Sequence, residues 1–137
     1  MFQVLLYPML DDRTGSSKAV PASMGQFVWN AACNRFGWSA LLGMPAGSAQ
    51  VPAGSVPARV DDLSGLPPAW IGVGSIDLFA DEDVLYARRL MDAGVATELN
   101  LFPGGYHGFD LLVPEAKVSQ RFTESWRSAL RRAFAAG

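Results

Sequence analysis

Two short apolar runs and one alternating segment predict three strands. The first run, Phe2 to Tyr7, is stopped by Pro8, and the second spans Ala69 to Gly74. Nearly continuous apolar runs of this length are typical of parallel strands that are covered on both faces. The alternating segment is Ala96 to Phe102, in which Leu99 and Leu101 alternate with polar residues. Long connections separate the three segments, which favours parallel pairing through right-handed crossovers.

The placement of charge and glycine predicts two helices in the second half of the chain. Asp81 to Ala93 begins with three acidic residues, carries Arg88 and Arg89 in its last half and is followed by Gly94. Acidic residues at the start, basic residues late and a glycine after the end suit the helix dipole and the C-cap. A closing helix is predicted over Glu115 to Ala136.

The first connection is less regular. Gly25 to Leu42 is rich in Trp and Phe and is predicted to be helical in two pieces, broken near Gly37. Gly43 to Val60 holds three of the nine prolines and is predicted to be an irregular surface loop. The chain is therefore interpreted as a single α/β segment over residues 1–137, with about three parallel strands and flanking helices.

Composition narrows the class of protein. Half of the 137 residues are hydrophobic and 18% are charged, against about 25% in a typical soluble domain. This apolar composition excludes a disordered chain. With 11 basic and 13 acidic residues the formal charge is −2, which is too close to neutral for a nucleic-acid-binding surface. No apolar run approaches the roughly 18 residues of a membrane span. The single cysteine, Cys33, excludes an intramolecular disulfide and favours a cytoplasmic location.

Two residues that can carry chemistry follow neighbouring strands. Asp77 comes after the second strand, and His107, the only histidine, comes after the third. Adjacent parallel strands lie about 4.8 Å apart, so the two side chains can meet at the carboxyl edge of the sheet. An Asp that orients a His is the acid–base pair of nucleophilic hydrolysis. The alternatives are that Asp77 is a turn or capping residue and that His107 is structural.

At these residues the sequence resembles the C-terminal part of the hormone-sensitive-lipase-like esterases, a branch of the α/β-hydrolase superfamily. The matching segments run over Leu5 to Leu10, Leu63 to Ala69, Gly72 to Glu82, Tyr86 to Val95 and Glu98 to Phe109. The resemblance implies a partial α/β-hydrolase fold containing the last three of eight strands. It also implies that Asp77 is the triad acid, that His107 is the base, and that small acyl esters are the substrates without any cofactor. With one His and one Cys, the sequence offers no ligand cluster for a metal. The aromatic side chains expected near this pair, as substrate-binding residues, are Phe79, Tyr106 and Phe109.

The chain departs from the family in its nucleophile. The family uses a Ser in a Gly-x-Ser-x-Gly elbow, and no such segment is present. Ser48, Ser55 and Ser75 each follow a glycine but lack the second glycine of the elbow. Cys33 stands in the right order for a cysteine hydrolase, yet its surroundings favour a small buried thiol.

Three hypotheses for function follow. The chain can be the acid–base part of an ester hydrolase that takes its nucleophile from elsewhere, a non-catalytic interaction module or relic, or a weakly active oligomer with a rearranged site. An open, apolar edge on Phe2 to Tyr7 is expected to pair with another chain. We therefore expect a homo-oligomer, or a complex with an N-terminal complement, formed through this strand.

Overall fold

The computed structural model describes residues 1–135 and contains one parallel sheet in the order β1-β2-β3. The strands are β1 (Gln3–Leu6), β2 (Ala69–Gly74) and β3 (Thr97–Phe102). All six residues of central β2 are buried, whereas β1 and β3 are largely half-buried, because each pairs only with β2 within the described residues. The three predicted strands are confirmed to within about a residue at each end.

One side of β1 is open in the part of the chain that the structure describes. The amide of Gln3 donates to the Pro68 carbonyl at 2.9 Å, and the amide of Tyr7 donates to the Gly72 carbonyl at 2.7 Å. In a parallel ladder these bonds fall on alternate residues of a strand. The amides of Val4 and Leu6 therefore face away from β2, towards the open side.

In the described part of the chain, four helices flank the sheet: α1 (Ala31–Leu42), α2 (Ala80–Asp92), α3 (Phe109–Leu112) and α4 (Lys117–Ala135). A short 3-10 helix, Pro57–Arg59, lies near the end of the proline-rich loop. The helix predicted from Asp81 is confirmed. The closing helix begins two residues later than predicted, and its predicted last residue, Ala136, lies outside the described residues.

The prediction of two helical pieces broken near Gly37 is wrong. The helix is continuous through Gly37, and it begins only at Ala31, where Asn30 caps it by accepting from the amides of Ala32 and Cys33. A helical glycine costs about 1 kcal/mol relative to alanine, which tertiary packing can offset. Here a Cβ atom on Gly37 would lie 3.4 Å from the Trp29 ring, which is ordinary van der Waals contact, so the ring packs against the helix at this glycine without requiring it.

The core has two parts, one on each face of the sheet. Alternate residues of β2 point to opposite faces, so Ile71 packs with Leu90 of α2 while Trp70 packs with Phe122 of α4. Phe109, the first residue of the unpredicted helix α3, belongs to the second cluster and is 2% exposed. The two layers leave the carboxyl edge of the sheet to the loops that follow the strands.

Candidate active site

The side chains of His107 and Asp77 meet at the carboxyl edge of the sheet. His107 Nδ1 lies 3.1 Å from Asp77 Oδ2, the carboxylate is fully buried and the imidazole is 19% exposed. A carboxylate can only accept, so Nδ1 carries the hydrogen and the neutral ring keeps a free lone pair on Nε2. This is the arrangement of a base that is oriented by an acid.

The second oxygen of Asp77 shapes the loop that carries it. Oδ1 accepts from the Phe79 amide at 3.1 Å, and the Asp77 backbone bonds to Gly74 on one side and to Ala80 on the other. Asp77 is therefore a turn residue and the partner of His107 at the same time. Each of the two roles uses its own carboxylate oxygen.

Two glycines bring the loops after β2 and β3 into contact. A Cβ atom on Gly74 would lie 2.1 Å from the Gly105 carbonyl oxygen, so only a glycine permits this approach. The Ile76 amide donates to the same carbonyl at 3.1 Å, and the Gly104 amide donates to Ser75 Oγ at 2.9 Å. These contacts fix the loop of Asp77 against the loop of His107.

Three aromatic rings surround the imidazole of His107. The ring centroids of Tyr7, Phe79 and Trp29 lie 4.8, 5.3 and 5.9 Å from that of His107, the first two in edge-to-face geometry. Sequence reasoning placed Phe79 near the pair but missed Tyr7 and Trp29. The available signal for Tyr7 was its position at the carboxyl end of the strand that neighbours β2.

The other two aromatic residues predicted to bind substrate lie farther from the imidazole. Tyr106 is half-buried and packs against Phe27, with ring centroids 5.5 Å apart. Phe109 lies in the core behind it, 6.4 Å from Tyr106 and 5.1 Å from Phe122 between ring centroids. The exposed Phe27 joins Tyr106 at the protein surface beside the site.

The serine hydroxyls considered as nucleophiles make hydrogen bonds to the backbone. The hydroxyls of Ser48 and Ser55 donate to backbone carbonyls in exposed turns, and Ser75 Oγ accepts from Gly104. Cys33 is half-buried in the first turn of α1, where a buried thiol was predicted. Within residues 1–135, no hydrogen bond joins His107 to a serine or to this thiol.

Two acidic residues of the first turn of α2 are buried, although sequence reasoning assigned them to the helix dipole alone. Glu82 Oε1 accepts from the amides of Leu10 and Asp11 at 2.6 and 3.0 Å, and burial raises its pKa to about 7. Asp83 is fully buried, and within the described residues its carboxylate oxygens have no hydrogen-bond partner. Burial, followed by the charges of Glu82 and Asp77, raises the pKa of Asp83 well above its usual value.

No helix in residues 1–135 is both long and apolar enough to cross a membrane. Within the same range, no three residues of His, Cys, Asp or Glu are grouped so that they could hold a metal ion.

The chain is similar to known ester-hydrolysing enzymes. The sequence profile of the α/β-hydrolase fold matches residues 1–111. The carboxylesterase NlhH of Mycobacterium tuberculosis is 44% identical over 75 residues, covering 53% of this chain and 23% of that enzyme. The crystal structure of esterase LipW from Mycobacterium marinum superposes with a TM-score of 0.79 at 40% identity, covering 98% of this chain and 41% of LipW. A bacterial heroin esterase gives the same TM-score at 34% identity, covering 96% of this chain and 42% of that enzyme.

The chain thus spans about two fifths of the length of these solved structures and about a quarter of NlhH. The similarity extends over nearly the whole of this chain, including both loops that carry Asp77 and His107.

Proposed function

Because this chain belongs to the α/β-hydrolase fold family, in its hormone-sensitive-lipase-like branch, we propose that it supplies the acid and base of a carboxylic-ester hydrolase. The observation that carries the proposal is the 3.1 Å contact between His107 Nδ1 and a buried Asp77 oxygen. A carboxylate at this distance favours the tautomer with the hydrogen on Nδ1, which leaves Nε2 able to take a proton.

The proposed reaction is a double displacement. Nε2 of His107 accepts the proton of a serine hydroxyl while the serine oxygen bonds to the ester carbonyl carbon. The imidazolium then donates that proton to the leaving alkoxide, and the alcohol departs from an acyl-enzyme. Water repeats the two steps with the acyl group and releases the carboxylic acid. Asp77 stays ionised throughout and stabilises the imidazolium.

The nucleophile is proposed to come from outside these 137 residues, on a strand that pairs with the open side of β1. The sequence contains no Gly-x-Ser-x-Gly segment. Tyr7, directly after β1, contacts His107. A parallel strand added about 4.8 Å beyond β1 would end on the same side of the imidazole. A serine just after that strand would then be within reach of Nε2.

Small acyl esters are the proposed substrates. Support comes from the relatives, which are named as a carboxylesterase and a heroin esterase. The side chains proposed to contact the ester are Phe79 and Tyr106, with Phe109 holding Tyr106 from behind. A location in the cytoplasm stays a prediction from the single cysteine.

A second candidate is a non-catalytic interaction module that self-associates through β1. The open side of β1 favours it, as do exposed apolar side chains near the site and on the helices, namely Phe27, Phe36, Leu111, Leu112 and Phe134. Under this proposal Asp77 and His107 only stabilise the loops that they join.

Labelling with a fluorophosphonate, read by intact mass, separates the two candidates. We expect the purified chain alone to form no stoichiometric adduct. Mixed with a polypeptide comprising the part of LipW that has no counterpart here, it should yield one adduct, on a serine of that polypeptide. The same mixture should hydrolyse p-nitrophenyl butyrate.

Two variants test the assigned roles in that mixture. His107→Ala should abolish the hydrolysis, whereas the exposed substitution Asp62→Asn should leave it unchanged. Equal rates for His107→Ala and the parent chain would contradict the assignment of the base. A stable mixed complex without any hydrolysis would favour the interaction module.

A further inference from the structure

Backbone strain is concentrated around the imidazole of His107. Within residues 1–135, only two non-glycine residues have a left-handed backbone, Tyr7 with a φ of 36° and Val28 with a φ of 65°. Tyr7 contacts the His107 ring itself, and Val28 directly precedes Trp29, which also contacts it. Such strain persists only where surrounding structure enforces it, and it is common at functional sites.

Tyr7 is disfavoured in this conformation for two reasons. It is a bulky residue at positive φ, and it precedes Pro8, whose ring favours extended backbone in the residue before it. The Tyr7 amide nevertheless keeps its ladder bond to Gly72 at 2.7 Å. The strained turn brings the phenol between two rings, edge-to-face with His107 and stacked on Phe122 at 5.7 Å between centroids.

Val28 is the centre of a γ-turn. The Trp29 amide donates to the Phe27 carbonyl at 2.7 Å across Val28, whose side chain is exposed. This turn is rare and strained, more so for a β-branched residue. The turn places the Trp29 ring in contact with His107. The same indole packs beside Gly37 of helix α1, and its Nε1 donates to Asn34 Oδ1 at 3.4 Å.

We propose that Tyr7 and Trp29 are positioning residues that hold the His107 imidazole in the orientation needed by a base. An imidazole with a single hydrogen bond can still swing about its Cβ–Cγ bond, since that torsion is broad. Rings packed against the imidazole restrict the swing, so that Nδ1 stays on Asp77 and Nε2 keeps one direction. Phe79, fixed by the turn of Asp77, completes the aromatic surround.

This inference rests on the proposed role of His107 as a base, but it can be tested without any ester hydrolysis. His107 is the only histidine, so a chain labelled with ¹⁵N in its imidazole gives one set of ring signals. The parent chain should show a low-field Nδ1–H resonance, nitrogen shifts of the Nδ1–H tautomer, and nuclear Overhauser contacts from the imidazole to Tyr7 and Trp29.

Matched pairs of variants separate positioning from general packing. Tyr7→Leu and Trp29→Leu should lose the low-field resonance to exchange and average the nitrogen shifts. Tyr7→Phe and Trp29→Phe keep an aromatic ring and should retain both signals. Thermal unfolding shows whether each variant is folded. A loss of packing alone would lower the unfolding temperature but leave the imidazole signals unchanged.

Two results would overturn the inference. One is a folded Leu variant that keeps the parent's low-field resonance and nitrogen shifts. The other, which needs no variant, is the absence of Overhauser contacts between His107 and both rings in the parent chain. An intact signature in a mixture that hydrolyses no ester would instead count against the proposed function alone.

Discussion

A Cβ atom on Gly74 would lie 2.1 Å from the carbonyl oxygen of Gly105. The backbones after β2 and β3 are therefore in direct contact, and this contact sets the separation of Asp77 from His107. Close approach of two backbones, in addition to the side-chain pair itself, determines the geometry of the site.

Replacement of Gly74 by alanine should separate the two loops. Gly74→Ala forces the backbone of Gly105 to move, at a cost of roughly 1–3 kcal/mol in the free energy of unfolding. The low-field resonance of His107 should weaken or vanish. Gly65→Ala is the control, because its Cβ meets nothing within 4 Å although its φ is positive. In this control the free energy of unfolding should fall by about 1–2 kcal/mol, and the low-field resonance of His107 should remain. An unchanged resonance in Gly74→Ala would show that the loops adapt.

Replacement of Asp77 by asparagine should remove catalysis while largely preserving the fold. The amide can still accept from the Phe79 amide, but it no longer stabilises the imidazolium or enforces the Nδ1–H tautomer. We expect hydrolysis of p-nitrophenyl butyrate by the reconstituted mixture to fall by about 10⁴-fold, as for the corresponding change in serine proteases. Thermal unfolding of the variant serves as the control, and a fall below about tenfold would argue against the triad role.

Stability should decrease as the pH rises through the range in which Glu82 ionises. Its pKa is about 7 in the folded chain and 4.5 ordinarily. The folded state therefore binds the proton more tightly, and the free energy of unfolding falls between about pH 4.5 and pH 7. The loss is on the order of 3 kcal/mol. Asp83, whose pKa is also raised, acts in the same direction.

Urea unfolding at pH 5 and pH 7.5 measures this effect. Glu82→Gln keeps an oxygen for the amides of Leu10 and Asp11 and should reduce the difference in the free energy of unfolding between the two pH values. Asp81→Asn, on the exposed neighbour, should leave the difference as in the parent. The same pH difference in Glu82→Gln and in the parent would assign the effect to another group.

Proline at Val4 should block pairing on the open side of β1. The Val4 amide faces away from β2, so Val4→Pro removes an outward donor and leaves the ladder to β2 intact. Sedimentation at micromolar concentration should show association of the parent chain and a monomer for the variant. Leu5→Pro removes an inward donor instead and should unfold the chain. A parent chain that sediments as a single monomer would contradict the pairing.

Glycine at Val28 should stabilise the chain. Glycine adopts a φ of 65° without steric cost, which should raise the free energy of unfolding by about 0.5–1 kcal/mol after the entropy of the unfolded chain is counted. Val84→Gly, at an exposed position inside α2, should lower it by about 1 kcal/mol. Equal losses in the two variants would mean that the turn at Val28 is not strained.

The sheet could be predicted from the sequence because each strand has its own local pattern of apolar residues. The meeting of Asp77 with His107 was predictable for a similar reason, since parallel neighbours end at the same edge. The continuity of α1 through Gly37 was not, because tertiary packing can offset the helical cost of a glycine and a local sequence pattern does not show that packing. The burial of Glu82 and Asp83 was also hidden, since acidic residues in a first helical turn are ordinarily solvated.

The division of labour between the two oxygens of Asp77 links folding to preorganisation. One carboxylate oxygen of Asp77 closes the turn by accepting from the Phe79 amide, and the turn thereby holds the other oxygen, already desolvated, against the imidazole. Formation of the acid–base pair is thus coupled to formation of the loop. A substitution that removes both oxygens would therefore disturb the turn and the imidazole orientation together.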